Sequence, residues 1–220
     1  MAPDVPFDHE SFFADLDAYF APRLSEHGAT ARGVDWNSQQ SQQLRLRRLL
    51  QVRRGSEPYS LIDYGCGYGA LGHLLVAENE PVEYIGFDVS PRMITLARAH
   101  NPAGEQCRFT DRVEELEPAD FVIASGLFNL RLSVEEAAWE AYVLDTLDTF
   151  AVLGRRGFAF NLLTSWSDRD RMRADLFYAD PCQYFEHCMR RYSREVTLLH
   201  DSGLYEWSIL VRQEPRRAGL

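Results

Sequence analysis

"LIDYGCGYGALG", residues 61–72, places four glycines in twelve positions directly after an apolar run. Glycine costs backbone entropy. It is used where a turn needs φ > 0 or where a ligand must approach the main chain. The stretch therefore reads as a short buried strand that turns, through Gly65, Gly67 and Gly69, into a helix over "ALGHLLVAE". Gly72 lies inside that helix, where a missing side chain suits close packing on a strand. A second strand, "VEYIGFDVS", carries Asp88 at its end. It follows the turn at the ~20-residue distance of a carboxylate that accepts hydrogen bonds from a ribose diol. A glycine turn followed by such an acid points to a nucleoside cofactor.

Outward from this pair, strands and helices alternate. Downstream lie a helix over "SPRMITLARAH", with Ser90 as N-cap and Pro91 at its first position, and strands in "EQCRFTD" and "DFVIASGLF". A long helix over 133–153 opens on a capping box from Ser133 to Glu136 and ends at Gly154. A fifth strand, "RRGFAFNLL", is followed by two short helical stretches, the second opened by Asp180 and Pro181. Two strand-like runs, "SREVTLLHD" and "LYEWSILVRQ", close the chain around a tight "DSG" turn. Upstream, "HESFFADLDAYFAPRL" has helical spacing at Phe12, Phe13, Leu16, Tyr19 and Phe20. Residues 27–39 read as a loop and 38–52 as a second helix with Leu46, Leu49 and Leu50 inward. Strands alternating with helices predict a parallel sheet with right-handed crossovers. A tight turn joins only antiparallel strands. The expected fold is α/β: a doubly wound, seven-stranded, mostly parallel sheet with a C-terminal antiparallel hairpin and an N-terminal helical cap.

Composition narrows the function. The 220 residues carry a net charge of −10, against nucleic acid, whose binding rests on phosphate neutralisation. The basic run "RLRRLLQVRR" at 45–54 reads as the solvated face of a helix. No apolar stretch reaches membrane-span length, and "MAPDVPFDHE" lacks the apolar core of a signal peptide, so a cytoplasmic location is expected. Cys66, Cys107, Cys182 and Cys188 show no paired spacing, so reduced thiols and no metal site are expected.

Two cofactors fit the glycines. "GYGALG" (67–72) matches G-x-G-x-x-G, the dinucleotide fingerprint. The turn, however, begins earlier, at Gly65, and Asp63 sits in the strand end just before it. An anion there repels a pyrophosphate and suits a cationic ligand end, which favours S-adenosylmethionine over NAD. The ordered segments "LIDYGCGYG", "YIGFDVSPRMITLAR", "CRFTD", "DFVIASGLF" and "GFAFNLL" resemble the motifs of class I S-adenosylmethionine-dependent methyltransferases over roughly residues 58–212. The resemblance implies a helical cap or lid over 1–57 and a Rossmann-like domain over 58–220, with a small helical insertion at about 164–191. It implies that Asp63, Gly65, Cys66, Gly67 and Gly69 surround the methionine end and that Asp88 binds the ribose hydroxyls. Val89 and Met93 would pack on the adenine, Asp111 and Arg112 would lie near its amine, and Ser125 and Gly126 would border the reacting methyl.

The acceptor is expected beyond strands four and five. Asn129, Tyr178 and His200 are the candidate catalytic groups. Arg32, Trp36, Asn37, Asn161, Thr164 and Trp166 are candidates for the lid and the acceptor wall. "ASGLF" stands where the resemblance would require an "NPPY"-like stretch for adenine or amide N-methylation. With the charge, this points to O- or N-methylation of a small molecule, without nucleic acid or membrane as partner. Three other readings stay open: an NAD-dependent oxidoreductase, a non-catalytic S-adenosylmethionine-binding protein, and a protein methyltransferase.

Overall fold

The computed structural model describes residues 7–100 and 107–213. The chain runs α1 (His9–His27), α2 (Gln39–Leu50), β1 (Tyr59–Tyr64), α3 (Ala70–Ala77), β2 (Val82–Phe87), α4 (Pro91–His100), β3 (Cys107–Thr110), β4 (Ala119–Ala124) and α5 (Glu136–Leu153). It continues through β5 (Gly154–Thr164), β6 (Tyr178–Ala179), α6 (Pro181–Arg191), β7 (Glu195–Leu199) and β8 (Glu206–Arg212). The strand expected over "EQCRFTD" is described from Cys107; its first two residues lie outside the described segments.

The sheet order is β3-β2-β1-β4-β5-β8-β7. The first five strands pair in parallel, while β8 is antiparallel to both β5 and β7. The order reverses between β1 and β4, the switch point where ligands bind beyond the strand ends. Strand alternation divides the core. Ile62, Val122, Phe158, Phe160 and Trp207 face α5 and α6. Leu61, Phe121, Ile123, Ala159 and Leu210 face α2, α3 and α4. This is why the central strands read as continuous apolar runs: both faces are covered.

Several local expectations differ from the structure. The Ser133–Glu136 capping box does not form. The chain turns at Arg131–Val134, with Leu132 at φ 54°, and α5 opens on Glu135 without a side-chain cap. The N–H groups of Arg131 and Leu132 instead go to the Asp175 carbonyl. The C-terminal hairpin has a longer loop, residues 200–205. The two-residue strand β6 pairs in parallel with the end of β5, and nothing in its sequence marks it as a strand. The arginine run is not uniformly solvated: Arg45 is buried and meets Glu206 of β8.

Among the described residues, no helix is long and apolar enough to cross a membrane.

Candidate active site

The glycine turn sits at the C-terminal end of β1. Gly65, Gly67 and Gly69 all have positive φ (82°, 54° and 85°). The N–H groups of Gly65 and Cys66 both donate to the Phe87 carbonyl, at 2.8 and 2.9 Å, which ties the turn to β2. A Cβ on Gly67 would meet only Val34, at 3.8 Å, so this backbone faces open space. A Cβ on Gly69 would press on the Phe109 ring at 3.1 Å, and one on Gly72 on Tyr84 at 3.2 Å. Those two glycines serve helix-to-sheet packing.

Two acids flank the turn. The Asp88 carboxylate accepts the Gly67 N–H at 2.8 Å and the Ser90 N–H at 3.0 Å. Two of its roughly four lone-pair sites remain for a ligand. Burial pushes its carboxyl up to about 6, against the pull of the two N–H groups. Asp63 is buried and accepts the Tyr84 hydroxyl at 2.7 Å. Burial pushes its carboxyl up to about 7, opposed by the Tyr84 hydrogen bond and reinforced by the charge of Asp88. A cation beside Asp63 would remove that penalty. Burial also holds the Cys66 thiol well above its usual value, so it is not a thiolate nucleophile.

These groups open on one cavity of about 1790 Å³. Its roof comes from the N-terminal segment. Asp17 of α1 accepts the Ser90 hydroxyl at 3.0 Å, and Phe12 packs on Trp139 with ring centres 4.9 Å apart. The turn after α1 brings Trp36 over Gly126 at the end of β4, so closely that a Cβ on Gly126 would meet the indole at 2.5 Å. A polar cluster fastens the rim: Tyr19 donates to Asp35 at 2.6 Å, and Arg173 reaches Tyr19 at 2.8 Å and Asp175 at 2.6 Å.

Residues 62–148 match the family model described as a methyltransferase domain. A Mycobacterium tuberculosis protein named as a methyltransferase, Rv1506c, is 45% identical over 164 residues, which are 74% of this chain and 99% of that one. The chain belongs to the class I S-adenosylmethionine-dependent methyltransferases. Among solved structures, human N-acetylserotonin methyltransferase in complex with S-adenosylmethionine shares the fold, with a TM-score of 0.64 and 18% identity. That match covers 96% of this chain and 61% of the human one. A chain of the Pnkp1/Rnl/Hen1 RNA repair complex shares it too, with a TM-score of 0.55 and 15% identity, over 92% of this chain and 48% of that one.

The methyltransferase fold brings most of the residues expected from the motifs to the cavity wall. Asp63, Gly65, Cys66, Gly67, Asp88, Val89, Met93, Asp111, Ser125, Gly126 and Asn129 line it, as do Trp36 and Asn37. Others lie elsewhere. Arg112 is exposed and paired with Glu114 and Glu115. Arg32 is exposed and lines a second, smaller cavity with Arg23, His27 and Asp35. Asn161 is fully buried and accepts the Gly126 N–H at 2.7 Å, so it supports the wall from behind. Thr164 is buried and bonds the turn that follows it. Trp166 is 73% exposed, and the His200 ring stands beside it. Tyr178 accepts the Arg173 N–H at 3.0 Å outside the cavity. Tyr178, His200 and Trp166 are thus corrected as candidates for contact with an acceptor.

The N-terminal helical cap is present as expected, but no residue of α1 or α5 was among the candidate site residues. Phe7, Phe13, Leu16, Tyr19, Phe20 and Tyr142 face the cavity. Helical spacing marked the apolar side of α1, and the resemblance marked the segment as a cap, but neither singled out these side chains.

The residues present fit S-adenosylmethionine. The turn offers open backbone at Gly67, two acids flank it, and the buried Ser125 Oγ has no partner. The described wall offers a pyrophosphate no free guanidinium. The arginines on the described wall are Arg45 and Arg173, and carboxylates already occupy both.

Proposed function

We propose that this methyltransferase transfers a methyl group from S-adenosylmethionine to an oxygen or nitrogen of a small, largely apolar molecule. The observation that carries the reading is the roof: α1 and the Trp36 turn cover the strand ends and leave a chamber. Beyond Ser125 and Gly126 its wall is formed by Leu127, Leu130, Leu163, Leu176, Phe20 and Trp36, with Tyr19, Asp35 and Arg173 at the rim. A folded macromolecule does not enter such a space, whereas an aromatic or branched aliphatic molecule fits its walls. The net charge of −10 supports the same reading against RNA.

Asp63 and the Gly65–Gly67 backbone would hold the methionine end, Asp88 the ribose hydroxyls, and Val89, Met93 and Asp111 the adenine. When bound, S-adenosylmethionine supplies a sulfonium methyl that departs from a neutral sulfur, so no leaving anion needs stabilising. The protein's part is alignment and exclusion of water, and alignment alone is worth up to roughly 7–11 kcal/mol. Ser125 and Gly126 border the methyl position, the leucines orient the acceptor, and the roof keeps solvent out. Asn129 belongs to this wall, and its Oδ1 is buried without a hydrogen-bond partner. A cytoplasmic location agrees with this reading.

The test is a methylation assay with purified protein and S-adenosylmethionine against phenols, alcohols and amines, with RNA and basic peptides in parallel. The expected result is S-adenosylhomocysteine release with one added methyl on a small compound. Methyl transfer to RNA or peptide, with none to small compounds, overturns the proposal.

A further inference from the structure

Arg45 is a buried cation of α2 that lines the cavity without facing it as a free charge. Its Nε donates to Glu206 Oε2 at 2.6 Å, and its Nη1 donates to the Ser41 carbonyl at 2.9 Å. Glu206 is 3% exposed. Burial raises its carboxyl, and Arg45 opposes this. The guanidinium carbon stands 4.4 Å from the Trp36 ring centre, stacked on its face. Trp36 in turn covers Gly126, whose φ of 74° and lack of a side chain allow the close approach. The Gly126 N–H goes to Asn161 Oδ1 at 2.7 Å.

Strand register explains the return path. β5 and β8 pair Leu163 with Glu206 and Asn161 with Ser208. Asn161 and Glu206 therefore sit diagonally on one sheet face, the face α2 covers.

Four contacts thus join five residues in a row, from Glu206 through Arg45, Trp36 and Gly126 to Asn161, and the sheet sets the two ends diagonally side by side. Three of them line the cavity; Glu206 and Asn161 do not. We propose that Glu206 is a positioning residue: through Arg45 it fixes Trp36 over Gly126, and so holds the lid turn shut beside the methyl position. The inference rests on the cofactor site assigned above. A planar guanidinium held by one carboxylate has its orientation set for stacking, which a flexible ammonium does not reproduce.

The test separates positioning from mere stability. A buried ion pair replaced as a pair by apolar residues often leaves stability unchanged, whereas removing one partner strands a charge. The variants are therefore the double Arg45→Met/Glu206→Leu and the single Arg45→Lys, which keeps the charge. The readouts are acrylamide quenching of Trp36, taken as the difference from a Trp36→Phe partner of each protein, and the dissociation rate of S-adenosylhomocysteine. In the double variant, with its melting temperature close to wild type, the quenching constant is expected to rise at least threefold and the dissociation rate about tenfold. Arg45→Lys is expected to move both in the same direction. Unchanged quenching and dissociation in whichever variant folds overturns the proposal. Should S-adenosylhomocysteine fail to bind the wild type, the cofactor reading falls, and the quenching comparison still decides the role of Glu206.

Discussion

Asp88 does two things with one carboxylate. It holds the Gly67 and Ser90 N–H groups, and its remaining lone pairs face the cavity. Hydrogen bonds to a charged group are worth about 1.5–3 kcal/mol each, so losing two from a ribose diol weakens binding by about a hundredfold or more. Asp88→Ala is expected to show at least that loss for S-adenosylhomocysteine by calorimetry, because the Gly67 turn loosens as well; an unchanged constant would make Asp88 purely structural. Asp63 sets a pH dependence. Its folded carboxyl, at about 7, lies above its unfolded value of 3.8. The native state therefore binds the extra proton between these values, and the resulting stabilisation is lost as pH rises through about 7. The ligand-free protein is expected to melt at a lower temperature at pH 8 than at pH 5.5. Asp63→Asn should flatten that difference, and a thermal scan in which both proteins have the same slope would contradict the assignment.

At the scale of elements, α1 is seated on α5 by Phe12 against Trp139, and the rim of the lid turn is fastened by polar contacts. Arg173, in the segment after β5, bonds Asp175 through two nitrogens and reaches Tyr19 of α1 and Asp35 of the lid turn. Such half-exposed networks contribute little stability, about 1 kcal/mol or less per pair. They are therefore suited to opening. Arg173→Ala is expected to lower the melting temperature only slightly while speeding hydrogen exchange in residues 27–37. S-adenosylhomocysteine should slow exchange there in the wild type. Equal exchange in both proteins, with and without that ligand, would show the segment to be a plain connection.

Across the whole molecule, the doubly wound sheet brings the C-terminal ends of β1, β2 and β4 to one crevice, and the N-terminal segment closes it. The chain's net charge of −10 acts at this scale, because the encounter with a polyanion depends on the summed field. The protein is expected to show no retention of single- or double-stranded RNA in a filter assay at about 150 mM salt, where the screening length is still ~8 Å. Tight RNA binding under those conditions would contradict the small-molecule reading.

The glycine turn and its two flanking acids were legible because they are local. Gly65, Gly67, Asp63 and Asp88 lie within one strand–turn–helix–strand unit, and each residue type is demanded by backbone geometry or by charge at its own position. The parallel sheet and its antiparallel end were legible from the same kind of signal, since alternation and burial on both faces write continuous apolar strands. The acceptor half was not. Arg45 and Glu206 are 161 positions apart and meet only because α2 packs on β8. Tyr178 and Trp166 looked like site residues by nearness in sequence, yet the turn after β5 directs them away. The aromatic residues of α1 were read as the apolar side of a cap, with no sign that they line a cavity. Short-range patterns of side-chain type determined the glycine turn, its two acids and the alternation of strands with helices; the strand order, the closing of the lid, the burial of one arginine among exposed ones and the shape of the chamber were decided only by tertiary packing, because those contacts join segments whose separation along the chain carries no periodic signal.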